Sequence, residues 1–311
     1  MDLVPSSFLD RRLLFVTGKG GVGKTTVAAG LALLAAQRGK RVLVAEIDAK
    51  GDLGRLFESG QLTFEARPVQ PNVFAMAMQT EDSLREYLRV QARVPLLVKL
   101  GPLARTLDFV ASAAPGVREI LTIGKFAWEV REHHYDLVIV DCEASGHIVS
   151  QLNAHRAIDS LVGLGPVKKQ TRWMSEVLGD PSITGTVVVT TGEEMPVTET
   201  LELVAKLQAE TEIDVCSVIV NRVLPAVFNR DEGELFERLC RSATRKKLGD
   251  GADEIILAAT IATTMRDSRV VQMERLATGI ALPILLVPEL FRSDHGLRAL
   301  RKISELIGEE I

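Results

Sequence analysis

The stretch Gly18 to Thr26 reads GKGGVGKTT, and its frame, GxxxxGK[ST], runs from Gly18 through Gly23 and Lys24 to Thr25. An apolar run, Leu13 to Val16, precedes it, and an alanine-rich helical pattern begins near Thr25. A strand before and a helix after is the context a phosphate-binding loop requires. Glycines let successive backbone N–H groups turn inward onto phosphate oxygens, and the positive end of the following helix adds to the attraction. Gly18, Gly20, Gly21, Val22, Gly23, Lys24, Thr25 and Thr26 are therefore candidate nucleotide-binding residues. Lys24 is placed to reach the β- and γ-phosphates, and the Thr25 hydroxyl to sit on Mg²⁺. The bland alternative is a glycine-rich turn that happens to contain lysines. Lys19, a second lysine inside the loop, is unnecessary for an ordinary phosphate loop and marks a deviant version.

Outward from the loop, strand and helix patterns alternate. Leu13 to Thr17 reads as a strand buried on both faces, Val27 to Gln37 as the helix after the loop, and Arg41 to Ile47 as a second buried strand ending at Asp48. From Gln61 to Gln70 the pattern leaves the order open, with Pro68 and Pro71 breaking it. Asn72 to Met78 is a third strand, and Thr80 to Gln91 and Pro115 to Glu132 are helices. Leu137 to Asp141, LVIVD, is an apolar strand closing on an acid. Thr186 to Thr191, Val215 to Val220 and Ile284 to Val287 follow as strands, with helical patterns such as Val197 to Glu210 between them. The alternation predicts an α/β fold with a doubly wound, mostly parallel sheet. We expect one phosphate-loop domain over 1–311 with a helical insertion at about 80–132. Within that insertion, 93–113 is either a helical pair packed on the sheet or a groove for an apolar client. Arg241 to Glu254 reads as a solvated loop, although its four basic residues could touch an acidic partner. The last helical pattern, with Leu297, Leu300, Ile303, Leu306 and Ile307, is amphipathic, and packing on the sheet accounts for it.

Bulk properties narrow the function. The 311 residues are 46% hydrophobic and 25% charged, so a sizeable core can be buried. A formal net charge of −4 argues against broad nucleic-acid binding. Cys142, Cys216 and Cys240 form no CxxC or framework pattern, which fits a reducing cytoplasm. No basic start leads into an apolar run, and no apolar segment approaches the roughly 18 residues that span a bilayer, so any membrane role is peripheral.

Ligands of open α/β sheets bind at the carboxyl ends of strands, where three further places should converge on the loop. Asp141 is placed like a Walker B carboxylate, holding Mg²⁺ through a water. Asp48 is either the group that orients an attacking water or a helix cap. Ser145, Gly146 and His147 could form a loop that senses the γ-phosphate, although a lone histidine is more often structural.

GKGGVGKTT, together with DCEASGH from Asp141 to His147, resembles the anion-transporting ATPases. These energise arsenite pumps, and their relatives target tail-anchored membrane proteins. The resemblance extends to APGVREI, Ala114 to Ile120, and covers nearly the whole chain. It implies a Mg²⁺-dependent ATPase working as an ATP-switched dimer, with Lys19 reaching the nucleotide of the facing subunit. IVNR, Ile219 to Arg222, is similar to a segment whose asparagine reads adenine and so nominates Asn221. VPEL nominates a second base-contacting turn at Pro288. Implied partners are a second copy or a related ATPase, and a client at a membrane or a membrane protein itself. Two segments depart from the family pattern. DAKG stands after the second strand where DPAH is usual, and DCEASGH replaces DTAPTGH. Glu143 adds negative charge near the triphosphate, a reason to expect slow hydrolysis or a weakly hydrolysing subunit of a heterodimer. A partition or division-site type of ATPase is the further alternative.

Overall fold

The computed structural model describes residues 7–47, 51–79, 82–83, 117–144, 148–161, 166–241, 249, 251–291 and 296–311. Eight strands form a single sheet: β1 (Leu13–Gly18), β2 (Val42–Glu46), β3 (Arg67–Gln70), β4 (Val73–Ala77), β5 (Leu137–Asp141), β6 (Thr184–Thr191), β7 (Val215–Val223) and β8 (Ile284–Pro288). Their order is β3-β4-β2-β5-β1-β6-β7-β8, parallel throughout except for β3.

The central strands are unbroken apolar runs because both of their faces are covered. Alternate side chains of β1 enter different cores. Leu14 and Val16 join α1 (Lys24–Gln37), α2 (Asp52–Leu56) and α9 (Leu297–Glu310) on one face. Leu13 and Phe15 join α3 (Val117–Arg131), α4 (Ile148–Leu161), α5 (Pro166–Gly179) and α6 (Glu194–Glu210) on the other. The apolar stripe of α9 behaves as its sequence implies, since Leu300, Ile303 and Ile307 are buried. Leu306 is only half-buried.

One open stretch is resolved and one expectation is corrected. Arg67–Gln70 is ordered as β3, antiparallel at the sheet edge with a bulge between Pro68 and Gln70. Proline is tolerated at such a position because an edge strand has a neighbour on one side only. The stretch expected to stay a loop as far as Glu254 is already helical at Ala252, where the 28-residue α8 (Ala252–Gly279) begins after Gly251. Asp253 and Glu254 lie in its first turn, where carboxylates favour the helix dipole. Before it comes α7 (Arg230–Cys240), capped by Asn229, which accepts from the Glu232 N–H while Glu232 accepts from the Asn229 N–H. Residues 84–116, which carry most of the Thr80 to Gln91 helix and the apolar segment at 93–113, lie outside the described residues. Among the described residues no helix is long and apolar enough to cross a membrane.

Candidate nucleotide-binding site

The carboxyl ends of β1, β2 and β5 open into a cavity of about 660 Å³ at the start of α1. The loop between β1 and α1 needs its glycines. Gly18 has φ 143°, and a Cβ there would lie 2.1 Å from the Val189 carbonyl oxygen. Gly23, at φ 91°, leaves a side chain no room because a Cβ would lie 2.3 Å from Asn221 Nδ2. Val22 anchors the loop by burying its side chain in the α1 core. Gly20, Gly21, Gly23, Lys24, Thr25 and Thr26 all border the cavity. Lys24 Nζ donates to the Lys19 carbonyl at 3.0 Å, so the loop curls around its own ammonium group.

Asp141 ends β5 at the cavity floor and is buried. Burial pushes its carboxyl up to about 7; a hydrogen bond from Thr25 and the charge of Lys24 oppose the rise. Asp141 Oδ1 is buried and, among the described residues, has no hydrogen-bond partner. An orphaned carboxylate oxygen beside the Thr25 hydroxyl fits the donor set of a Mg²⁺ ion that keeps its waters. Among the described residues no three or more His, Cys, Asp and Glu side chains group to hold a metal ion by themselves, so nucleotide oxygens would have to complete such a site.

Several bordering residues escape the sequence reading. Glu46 closes β2 beside Asp141, and burial raises its carboxyl against a hydrogen bond from the Asp52 N–H. Its signal was present, since VLVAE ends on an acid just as LVIVD does. Asp52 and Arg55, an ion pair on α2, also border the cavity. Arg222 adopts φ 58° and donates to the Gly21 carbonyl at 3.4 Å. Arg269 in turn donates to the Arg222 carbonyl at 3.2 Å and pairs with Glu193 at 2.8 Å.

Other nominated residues lie elsewhere. Asn221 is buried beneath the loop, with Nδ2 donating to the Val22 carbonyl at 2.8 Å. Pro288 ends β8, and neither it nor Asn221 borders the cavity. Lys19 pairs with Glu199 of α6 at 2.6 Å. Asp48, Ser145, Gly146 and His147 lie outside the described residues. Glu143 borders the cavity. Cys142 is buried, which drives its thiol well above the usual range. Cys216 is held up to about 11 by burial and donates to the Thr186 carbonyl, and Cys240 is half-buried. The first two are inert packing groups rather than reactive thiols.

The sequence profile of the anion-transporting ATPases matches residues 11–165 and 154–249. ATPase BagA of Mycobacterium tuberculosis is 30% identical, the alignment covering 98% of this chain and 95% of BagA. ATPase GET3 of Podospora anserina is 26% identical over 82% of this chain and 86% of its own length. A putative arsenical pump-driving ATPase from Aquifex aeolicus is 26% identical over 69% of this chain and 81% of its own. With the loop, the strand-end carboxylate and the parallel sheet in one arrangement, these matches establish the chain as an ATP hydrolase of the anion-transporting ATPase family.

Proposed function

We propose that the chain is a Mg²⁺-dependent ATPase that cycles as an ATP-switched dimer and couples hydrolysis to the binding, delivery or transport of a client. The observation that carries this reading is the meeting of Lys24, Thr25 and Asp141 in one cavity at the start of α1. Lys24 and the backbone N–H groups of Gly18, Gly20, Gly21, Val22, Gly23, Thr25 and Thr26 hold the triphosphate. Thr25 and Asp141 hold Mg²⁺, and Asp48 orients the attacking water. In this reading Asn221 and Pro288, which do not border the phosphate cavity, lie toward the base. Positioning and charge neutralisation are most of what phosphoryl transfer asks of a protein.

Lys19 favours a second subunit. Its ammonium group pairs with Glu199 of α6, and Lys19 does not border the cavity of its own chain. The partner is a second copy or a related ATPase. A weakly hydrolysing subunit of a heterodimer is the second reading, supported by Glu143 at the cavity wall. The client surface of this reading is the first half of α8, where Ile255, Leu257, Ile261 and Met265 stand exposed. One phosphate-loop domain with a helical insertion at about 80–132, acting in the cytoplasm without nucleic acid, completes the reading.

Turnover and ATP-dependent dimerisation, measured together, test it. Lys19→Ala should bind ATP as the parent does, yet hydrolyse it at least about tenfold more slowly and stay monomeric with an ATP analogue. Full turnover in that variant would sink the cross-subunit role. Asp48→Asn should bind ATP normally and fail in single-turnover hydrolysis. Brisk turnover by the pure chain alone removes the heterodimer reading.

A further inference from the structure

Glu46 and Asp141 are register partners on neighbouring strands, each the last residue of its own. Both border the cavity that holds Lys24 and Thr25, and they are 3% and 5% exposed. Each has one committed oxygen. Glu46 Oε1 accepts the Asp52 N–H at 3.2 Å, and Asp141 accepts from Thr25. Glu46 Oε2 and Asp141 Oδ1 are buried and have no hydrogen-bond partner among the described residues.

Unmet buried oxygens are costly, and two carboxylates side by side repel each other. The same cavity has to accept a polyphosphate, which worsens the repulsion unless positive charge and hydrogen-bond donors lie between. A hydrated divalent cation supplies both, because Mg²⁺ keeps several waters and is commonly bound by one or two carboxylates plus phosphate oxygens.

We propose that Glu46 is the second carboxylate of the metal site, accepting through Oε2 from a water of the Mg²⁺ that Thr25, Asp141 and the nucleotide hold. This rests on the ATPase reading of the site. Glu46 touches no phosphate; it positions the metal through its water shell, much as outer-shell partners orient metal ligands elsewhere. The competing assignment is purely structural, with Glu46 serving only to cap the Asp52 N–H at the start of α2.

Glu46→Gln separates the two, because its amide oxygen still accepts from Asp52 while the charge is gone. Mn²⁺ binding to the full chain with a non-hydrolysable ATP analogue is followed by electron paramagnetic resonance. Nucleotide binding in EDTA serves as the metal-free control. The inference expects the Mn²⁺ dissociation constant to rise about tenfold in Glu46→Gln, comparably in Asp141→Asn, with nucleotide affinity in EDTA unchanged or tighter. A Mn²⁺ constant within about twofold of the parent would overturn it and leave the structural cap. Slower hydrolysis with unchanged Mn²⁺ binding would overturn it too, by making Glu46 a proton acceptor. Should Glu46→Gln not fold, Glu46→Ser repeats the test under the same criteria. A parent chain that binds no nucleotide would bring down the ATPase reading and this inference together. Nucleotide binding with a metal-indifferent Glu46→Gln brings down the inference alone.

Discussion

At the carboxyl ends of β1, β2 and β5, Val22, Glu46, Asp141 and Asn221 are buried and side chains tie down the loop backbone. Along α7 and the first half of α8 the reverse holds. Leu235, Ile255, Leu257, Ile261 and Met265 face solvent, and among the described residues none of α7 is buried. Even the Phe228 and Phe236 rings, stacked at 4.7 Å, satisfy each other rather than a core. Under the proposed function the difference reflects what each region would have to do. Groups that stabilise developing charge need fixed positions, and burial supplies them. A surface that meets a variable apolar partner needs only to be apolar and accessible. The two regions should therefore respond oppositely to substitution.

The largest effect is expected at Gly18, where an added methyl meets backbone and no flexible side chain can move aside. Gly18→Ala should destabilise the chain by about 4 kcal/mol in urea unfolding, and a loss under about 1 kcal/mol would mean that the loop is less rigid than its contacts imply. Lys24→Ala comes next. It removes the charge at the centre of the cradle without touching the core, so ATP affinity should fall at least about 100-fold, near 2.7 kcal/mol, while the melting temperature without nucleotide barely moves.

Asp141→Asn gives a smaller, pH-dependent effect. With its carboxyl raised to about 7, the folded chain holds a proton that the unfolded chain has already released. Below the unfolded value, near 3.9, both states are protonated and the contribution to stability is fully present; it is lost as pH rises through about 7. The nucleotide-free Asn variant should thus match the parent near pH 4 and exceed it in stability at pH 8. Equal stability at both pH values would place Asp141 in a wetter setting than its burial implies. The smallest effect belongs to the other region. Ile261→Lys should change stability by no more than about 0.5 kcal/mol and leave ATP hydrolysis intact, because among the described residues Ile261 is exposed and joins neither core. A large loss would show that this face is covered in the folded protein.

The phosphate loop, the helix after it and the strand that ends at Asp141 were legible in the residues because each depends on neighbours a few positions away. Glycine spacing, helical period and an apolar run closed by an acid are local grammar. β3 was missed because Pro68 reads as a breaker unless the strand is known to lie at an edge. The length of α8 was missed because apolar residues circle its first half and blur any helical stripe. What sequence alone determined, then, is a phosphate-loop motif ending at Lys24 and Thr25 and the mostly parallel sheet around it. The tertiary structure decided which distant groups surround it. Asn221 lies 199 positions from the Val22 carbonyl it braces, and Glu199 lies 180 positions from Lys19. Glu46 stands beside Asp141 only because β2 and β5 are neighbours in register. Such contacts depend on strand order and register, which the local period of a chain does not encode.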